Sequence, residues 1–236
     1  MPNLFEYLQA SEDYYERFFY TSAIRLIRFL AMIISLTLPG LYIALISFHF
    51  ELLPTTLLLS FAAQHEAVPF PVFIEVLAME ITFEVLREAG IRLPRPIGQA
   101  VSIVGALVIG EATIRAGLVS ASTVIAVAMT GIASFTYAYS ASIALRLLRF
   151  FLMVLSATLG LFGLISGLAI IGIHLCTLRS FGVPYLSPVV PTTGVDLKDV
   201  FFRAPWWAMI SRPRQIVGKG QKRQDQGLKP APPETH

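Results

Sequence analysis

The sequence is short of charge, and the shortage is concentrated in long stretches. Charged residues make up 14% of its 236 residues, whereas a soluble globular chain carries about 25%. Between Ala31 and Phe50 only His49 could carry a charge, and between Phe150 and Thr177 only His174 could. Such runs can cross a hydrocarbon core of about 30 Å. This excludes an ordinary soluble enzyme, and it excludes nucleic-acid binding as the main role despite a pI near 9.1.

The residues that build catalytic and metal sites are also scarce. Cys176 is the single cysteine, so the sequence contains no disulfide framework and no CxxC pair. Its four histidines are scattered without metal-ligand spacing. Motifs for a nucleophilic serine, a phosphate-binding loop or a zinc protease do not occur. We therefore predict no enzyme activity, no cofactor and no metal site.

The apolar pattern predicts an all-α fold, a polytopic α-helical membrane protein. We expect four or five transmembrane helices plus re-entrant or interfacial helices. The predicted parts are a polar lead-in over 1–24, a helical membrane domain over 25–194, and a basic cytoplasmic tail over 195–236 that is disordered from about 219. The apolar or helical runs in this domain are 26–49, 55–63, 69–89, 98–112, 119–139 and 150–178.

A row of carboxylates is the first candidate site. Glu80, Glu84 and Glu88 recur every four residues, so a helix places them on one face. Carboxylates at membrane depth are costly unless they are paired or hydrated. The row is therefore either an ion pathway or intersubunit contact, or a set of charges in headgroup water. Glu111 and Arg115, also four residues apart, are a second possible contact or a simple surface pair.

A stripe of small and hydroxylated residues is the second candidate. It advances in steps of three and four residues and consists of Ser120, Thr123, Val127, Thr130 and Ser134. Such a stripe can line a narrow pore when several subunits surround an axis. The alternative is that the hydroxyls bond to carbonyls one turn earlier or hold two helices together.

Small residues in the last apolar run predict close helix packing. Ser156 and Gly160 are four residues apart, and so are Gly163 and Gly167. Pairs with this spacing let helices approach closely in lipid.

The arginines and lysines predict that both chain ends are cytoplasmic. Arg25 and Arg28 stand at the start of the first apolar run, and the tail after Val195 is basic. Trp206 and Trp207 favour the headgroup zone, so membrane lipid is an expected partner. Five crossings instead of four would place the tail outside.

Several short strings, read in order, resemble the membrane region of the spore germinant-receptor A-subunit family, the GerA family. Their order and spacing make the set specific, and together they cover the chain from about Phe5 to Pro213. The strings are SEDYYER (11–17), FHFELLP (48–54), VPFP (68–71), LREAGIRLP (86–94), VIG (108–110), IASF (132–135), SFGVPYLSP (180–188) and RAPWW (203–207).

The resemblance implies a location and a role. Family members are multi-pass proteins of the spore inner membrane that work with a transporter-like B subunit and a lipoprotein C subunit. The complex senses nutrients and triggers ion release in germination. The A subunits are expected to form a homo-oligomeric ring around an ion channel. Family members carry a soluble region ahead of the membrane part, so these residues correspond to the membrane part.

Three other functions remain open at this point. The chain could be a scaffold that binds partner subunits and conducts nothing, or the related component that is encoded with the dipicolinic-acid release proteins. It could also be a transporter with a substrate site at broken helices, although its two halves show no paired repeat.

Overall fold

A computed structural model describes residues 4–94, 105, 107–137, 139–190, 196–209 and 222. The described part is mostly helical, as the composition predicts. Its helices are α1 (Phe18–Ser47), α2 (Thr55–Glu66), α3 (Val72–Arg92), α4 (described over 107–115), α5 (Ala121–Ala133) and α6 (Tyr139–Thr177). Short 3-10 helices lie at Leu4–Leu8, Ser11–Tyr14, Phe50–Leu52, Asp196–Asp199 and Trp206–Ala208.

A two-stranded hairpin follows α6. Strand β1 (Arg179–Ser180) pairs antiparallel with β2 (Val183–Pro184), with Ser180 opposite Val183. Phe181 and Gly182 form the turn with φ of 52° and 84°. Two positive φ values are those of a type I′ turn, the type whose twist matches a tight hairpin.

Two helices are long and apolar enough to cross a membrane. By length and composition they are α1 over Phe18–Ser47 and the part of α6 over Ser142–Thr177, although the latter is not one straight helix because it reverses at Gly160. The predicted run at 119–139 is shorter in the structure, because α5 ends at Ala133 and spans only about 20 Å at 1.5 Å per residue. The predicted run at 98–112 falls largely outside the described residues, as does the tail beyond 209 apart from Lys222. A count of four or five crossings therefore stays a prediction.

Helix α6 reverses direction at Gly160, which the sequence did not predict. Gly160 has φ 63° and ψ −140°, a conformation that favours glycine. A Cβ on Gly167 would lie 2.6 Å from Leu152 Cδ2. In a straight helix fifteen residues separate these positions by about 22 Å, so the two arms must be antiparallel. The predicted run at 150–178 is thus two helical arms.

The chain divides into two compact units. Unit 1 comprises Met1–Ala31, Tyr137–Ala141 and Ile170–His236, and unit 2 comprises Met32–Thr136 and Ser142–Ala169. The predicted boundaries at 24/25 and 194/195 remain predictions.

In unit 2 the core joins four helices. It is made of buried apolar residues from α1, α3, α5, α6 and the turn before α5: Ile43, Val76, Met79, Val119, Val127 and Met153. Helix α1 approaches both arms of α6 at Gly40, where an added Cβ would lie 2.9 Å from Ser156 Oγ and 3.1 Å from Leu164 Cδ1.

Candidate functional site

The two candidate features of the sequence meet in unit 2. Helix α5 packs on α3, and the five stripe residues are all buried, each less than 5% exposed. We call this contact the α3–α5 seam. Its α5 side is the stripe at Ser120, Thr123, Val127, Thr130 and Ser134. On α3 it includes Glu75 and Arg87, which bond to the stripe, and Glu80 and Glu84, which pair with α6 beside it.

One end of the seam is centred on Glu75, whose side chain is fully buried. Its Oε2 accepts the Ser120 backbone N–H at 2.9 Å and the Thr123 hydroxyl at 3.1 Å. Its Oε1 lies 2.9 Å from Nδ1 of His65 on α2. Nε2 of the same imidazole lies 3.0 Å from the hydroxyl of Tyr42 on α1. Four helices therefore meet at one carboxylate.

The local sequence explains how this end forms. Ser120 is the N-cap of α5, with φ −72° and ψ 150°, and its Oγ accepts the Thr123 N–H. Gln64 on α2 accepts the Ser122 N–H at 3.0 Å. Side chains thus accept the free N–H groups of Ser122 and Thr123 in the first turn of α5, and Glu75 accepts the N–H of the N-cap.

The middle of the seam is apolar. Val127 lies in the core with Val76 and Met79. The Thr130 hydroxyl donates to the Ala126 carbonyl at 2.8 Å, one turn back on its own helix. This is one of the alternatives considered above for the stripe, a hydroxyl satisfied inside its own helix.

The far end of the seam holds an arginine-rich cluster. Arg149 on α6 donates through Nη1 to Glu80 Oε2 at 2.7 Å, with both side chains at most 5% exposed. Arg146 pairs with Glu84. Arg87 lies 3.4 Å from Glu84 and donates to Ser134 Oγ at 2.9 Å. Three guanidiniums thus surround two carboxylates. Both carboxylates accept hydrogen bonds from arginines of α6, which joins α3 to α6.

Two other predicted charges stay at the surface. Glu88, the third member of the carboxylate row, pairs with Arg92 at 2.7 Å, with side chains 53% and 77% exposed. Glu111 and Arg115 pair at 2.6 Å and are likewise exposed. The structure therefore separates Glu88 from the seam, and the roles of these residues stay predictions.

The small residues of α6 lie at close approaches in unit 2. Ser156 is fully buried against Gly40, and its hydroxyl has no hydrogen-bond partner among the described residues. Gly163 and Gly167 lie against the preceding arm of α6, next to Leu155. Gly160 forms the reversal itself. Their importance for helix packing stays a prediction.

Unit 1 contains a buried ion cluster that sequence reasoning did not predict. Asp13 accepts from Arg25 Nε at 3.1 Å and from Arg28 Nη1 at 2.8 Å. Arg25 also pairs with Asp199 at 2.7 Å. Burial alone would raise the pKa of Asp13, but the Ala10 backbone N–H and the two guanidiniums hold that pKa below its usual value. The arginines that we used to predict topology thus tie the lead-in and the tail to α1.

Arg203 joins the same unit through aromatic rings. Its guanidinium lies 5.0 Å from the Tyr14 ring centroid and 5.3 Å from the Trp206 ring centroid. Cation–π contacts contribute about 0.5–1 kcal/mol at exposed sites and about 2 kcal/mol or more when desolvated. Arg203 is buried while Tyr14 and Trp206 are partly exposed, so these contacts lie between the two cases.

No metal ligand set is present in the part of the chain that the structure describes, where no three His, Cys, Asp or Glu side chains converge.

Sequence reasoning missed Tyr42 and His65. Tyr42 lies inside an apolar run, and His65 has no partner nearby in sequence. A hydroxyl or imidazole in an otherwise apolar stretch is the signal that could have marked them.

Comparison with known proteins gives a family match over nearly the whole chain. Residues 2–215 match the family model "Bacillus/Clostridium GerA spore germination protein". The chain is 51% identical over 233 residues to "Spore germination protein KA" of Bacillus subtilis (strain 168), covering 98% of this chain and 43% of the relative. No solved structure matches this chain.

Two further relatives come from the same organism. The chain is 52% identical over 223 residues to "Uncharacterized membrane protein YfkQ", covering 92% of this chain and 44% of the relative. It is 42% identical over 219 residues to "Spore germination protein A1", covering 92% and 45%. The chain therefore spans less than half the length of these curated relatives.

Proposed function

This chain belongs to the GerA family of spore germination proteins, and from that premise we propose that it is the membrane part of a nutrient-triggered germination receptor. Its relatives are spore germination proteins, and its two apolar helices are compatible with membrane association. The proposed role is non-catalytic. It consists of ion release or signal transmission in a homo-oligomer, together with a transporter-like subunit and a lipoprotein subunit in the spore inner membrane, with both chain ends cytoplasmic.

The observation that carries the proposal is the α3–α5 seam. In this apolar chain, charged and hydroxylated side chains are buried between the helices. Ionisable groups are costly to bury in a membrane segment, and where they occur there they mark candidate functional sites. Glu75, Glu80, Arg146 and Arg149 are each less than 10% exposed. The seam is closed by direct hydrogen bonds and ion pairs in this structure. We propose that the nutrient signal opens it, so that the hydroxyl stripe becomes the wall of an ion path.

The charges of the seam also bear on ion preference. A row of carboxylates lining an ion path would by itself favour cations. In the structure Arg146 and Arg149 neutralise Glu84 and Glu80. An open path that keeps these pairs would be governed by hydroxyls and carbonyls rather than by a carboxylate ring.

The test is potassium efflux from liposomes that contain the chain with its partner subunits. A Cys176→Ala background is needed, because the native thiol is exposed. Thr123→Cys and Thr130→Cys keep the side-chain size, which matters because both positions are fully buried. Ile125→Cys and Met129→Cys, on the exposed side of the same helix at 62% and 52%, are matched controls.

Each result has a distinct meaning. Efflux that a water-soluble thiol reagent blocks at the stripe, and not at the exposed controls, would support conduction along the seam. Efflux that the reagent leaves unchanged at the stripe would place the path elsewhere. Absence of efflux under all conditions, with partner subunits still captured, would favour the non-conducting scaffold.

A further inference from the structure

A closed ring of hydrogen bonds surrounds Glu75 at one end of the seam. Its members come from α1, α2, α3 and the start of α5. They are Tyr42, His65, Glu75, Ser120, Ser122 and Thr123, and we call them the Glu75 ring.

Proton counting fixes the direction of most bonds in this ring. An ionised carboxylate can only accept, so the Thr123 hydroxyl must donate to Glu75 at 3.1 Å. The Ser120 hydroxyl must then donate to Thr123 Oγ1 at 2.8 Å. With that proton used, the Ser122 hydroxyl donates to Ser120 Oγ at 3.3 Å.

The same logic leaves a single role for the phenol. With the Ser122 proton used, the bond between Tyr42 and Ser122 at 2.9 Å takes its proton from Tyr42. Thr123 Oγ1, at 3.2 Å from the phenol oxygen, also faces that proton. Tyr42 therefore has no proton left for His65 Nε2, 3.0 Å away, and can only accept there.

With these directions both imidazole nitrogens carry a proton. Nε2 donates to Tyr42, and Nδ1 donates to Glu75 Oε1 at 2.9 Å. A neutral ring beside an ionised Glu75 would keep both imidazole contacts only if Ser122 turned its proton to Tyr42 and gave up the bond to Ser120 Oγ. We propose that the Glu75 ring is a proton-binding site in which His65 is held as the imidazolium between Glu75 and Tyr42.

The surrounding groups are consistent with a bound proton on the imidazole. Helix α3 faces His65 with the Glu75 carboxylate, α1 faces it with the Tyr42 phenol, and α5 contributes only hydroxyls and N–H groups. Glu75 Oε2 accepts two further bonds, which favours the ionised carboxylate. The His65 side chain is 15% exposed, so the ring reaches the surface of the described part of the chain.

The site would make the contact of four helices depend on protonation. Loss of the proton leaves the ring one proton short, so Tyr42 loses its bond to His65 or to Ser122, or Ser122 gives up its bond to Ser120. The first two losses loosen the hold of α1 on α2 or on α5, and the third loosens the start of α5. This inference concerns the chain itself and does not depend on the proposed function.

The test is nitrogen NMR of the full chain, labelled with ¹⁵N-histidine and held in detergent micelles at a pH of about 7.5. An imidazole with the ordinary pKa of about 6.5 is about 90% neutral at that pH. His174, whose side chain is exposed, serves as the internal control, and His65→Gln assigns the resonances by their loss. We expect both His65 nitrogens to be protonated.

Two variants extend the test. Tyr42→Phe removes the acceptor for Nε2, and Glu75→Gln removes the negative charge, so each should return His65 to the neutral form at the same pH. A neutral His65 in the unmodified chain, whichever nitrogen carries its proton, would overturn the proposal. An imidazolium that persists in both variants would also overturn it, because the ring would then not be what holds the proton.

Discussion

Replacing Arg149 with methionine removes one partner of a buried ion pair in the α3–α5 seam. The pair joins α6 to α3 through Arg149 Nη1 and Glu80 Oε2 at 2.7 Å, with side chains 3% and 5% exposed. Arg149 Nε and Glu80 Oε1 have no other partner among the described residues. Removing one member leaves the other charge buried and uncompensated, which costs about 3–5 kcal/mol in pairs of this kind.

The assay is the free energy of unfolding in detergent, from a denaturant titration followed by far-UV circular dichroism. Glu88→Gln is the matched control, because it breaks a pair of the same helix whose side chains are 53% and 77% exposed. Its expected cost is below about 0.5 kcal/mol. The double variant Glu80→Met with Arg149→Met should recover most of the lost stability, since it removes both charges and keeps apolar volume.

Two outcomes would refute this reasoning. If Arg149→Met and Glu88→Gln lower the free energy of unfolding by the same amount, burial does not make the Glu80–Arg149 pair more important than an exposed pair. If the double variant is as unstable as Arg149→Met alone, an uncompensated Glu80 is not the cause of the loss. The single variant Glu80→Met, measured beside Arg149→Met and the double variant, completes a cycle that separates the pair from its surroundings.

Further predictions concern the reversal in α6 and the ion cluster of unit 1. Gly160→Ala should cost at least about 1–2 kcal/mol of unfolding free energy, because φ is 63° and its Cβ would lie 2.8 Å from His49 Cε1; Gly172→Ala, with no atom within 4 Å of the added Cβ, should instead stabilise by about 0.5–1 kcal/mol. A loss of stability that is equal in both variants would contradict the reversal. The lowered pKa of Asp13 means that its stabilising effect is present above its unfolded value of about 3.9 and is lost as pH falls through the lower folded value. The thermal unfolding midpoint of the chain should therefore fall when the pH is lowered below about 4. Asp13→Asn should make that fall smaller. The same fall in the variant as in the unmodified chain would show that Asp13 does not contribute.

The sequence predicted the two halves of the candidate site but not their contact. Four-residue spacing placed Glu80 and Glu84 on one face, and the steps of three and four placed Thr123 and Thr130 on one stripe. These are local properties of a helix, so a single sequence reveals them. Glu75 and Arg87 join α3 to the stripe, while Glu80 and Glu84 pair with α6. This arrangement depends on how the helices return to one another, which helical periodicity does not encode.

The ion pairs of Arg146 and Arg149 were also not predictable from the sequence. In the sequence these arginines are basic residues between the apolar runs 119–139 and 150–178. Their partners Glu84 and Glu80 lie 62 and 69 residues away in the chain. A pair at such a separation has no local pattern, because the intervening chain decides whether the side chains meet.

Composition by itself predicted a helical chain with runs that can lie in a membrane, since charge-poor runs of this length satisfy their backbone hydrogen bonds within helices when they lie in lipid. The structure has two helices that are compatible with this prediction. Only the tertiary structure decided that α6 turns back at Gly160, because a lone glycine in an apolar run is equally compatible with a straight helix. It also decided that Tyr42 and His65 complete the Glu75 ring. Hydrogen bonds between different helices depend on distances of about 3 Å, and these are fixed by packing rather than by the order of residues.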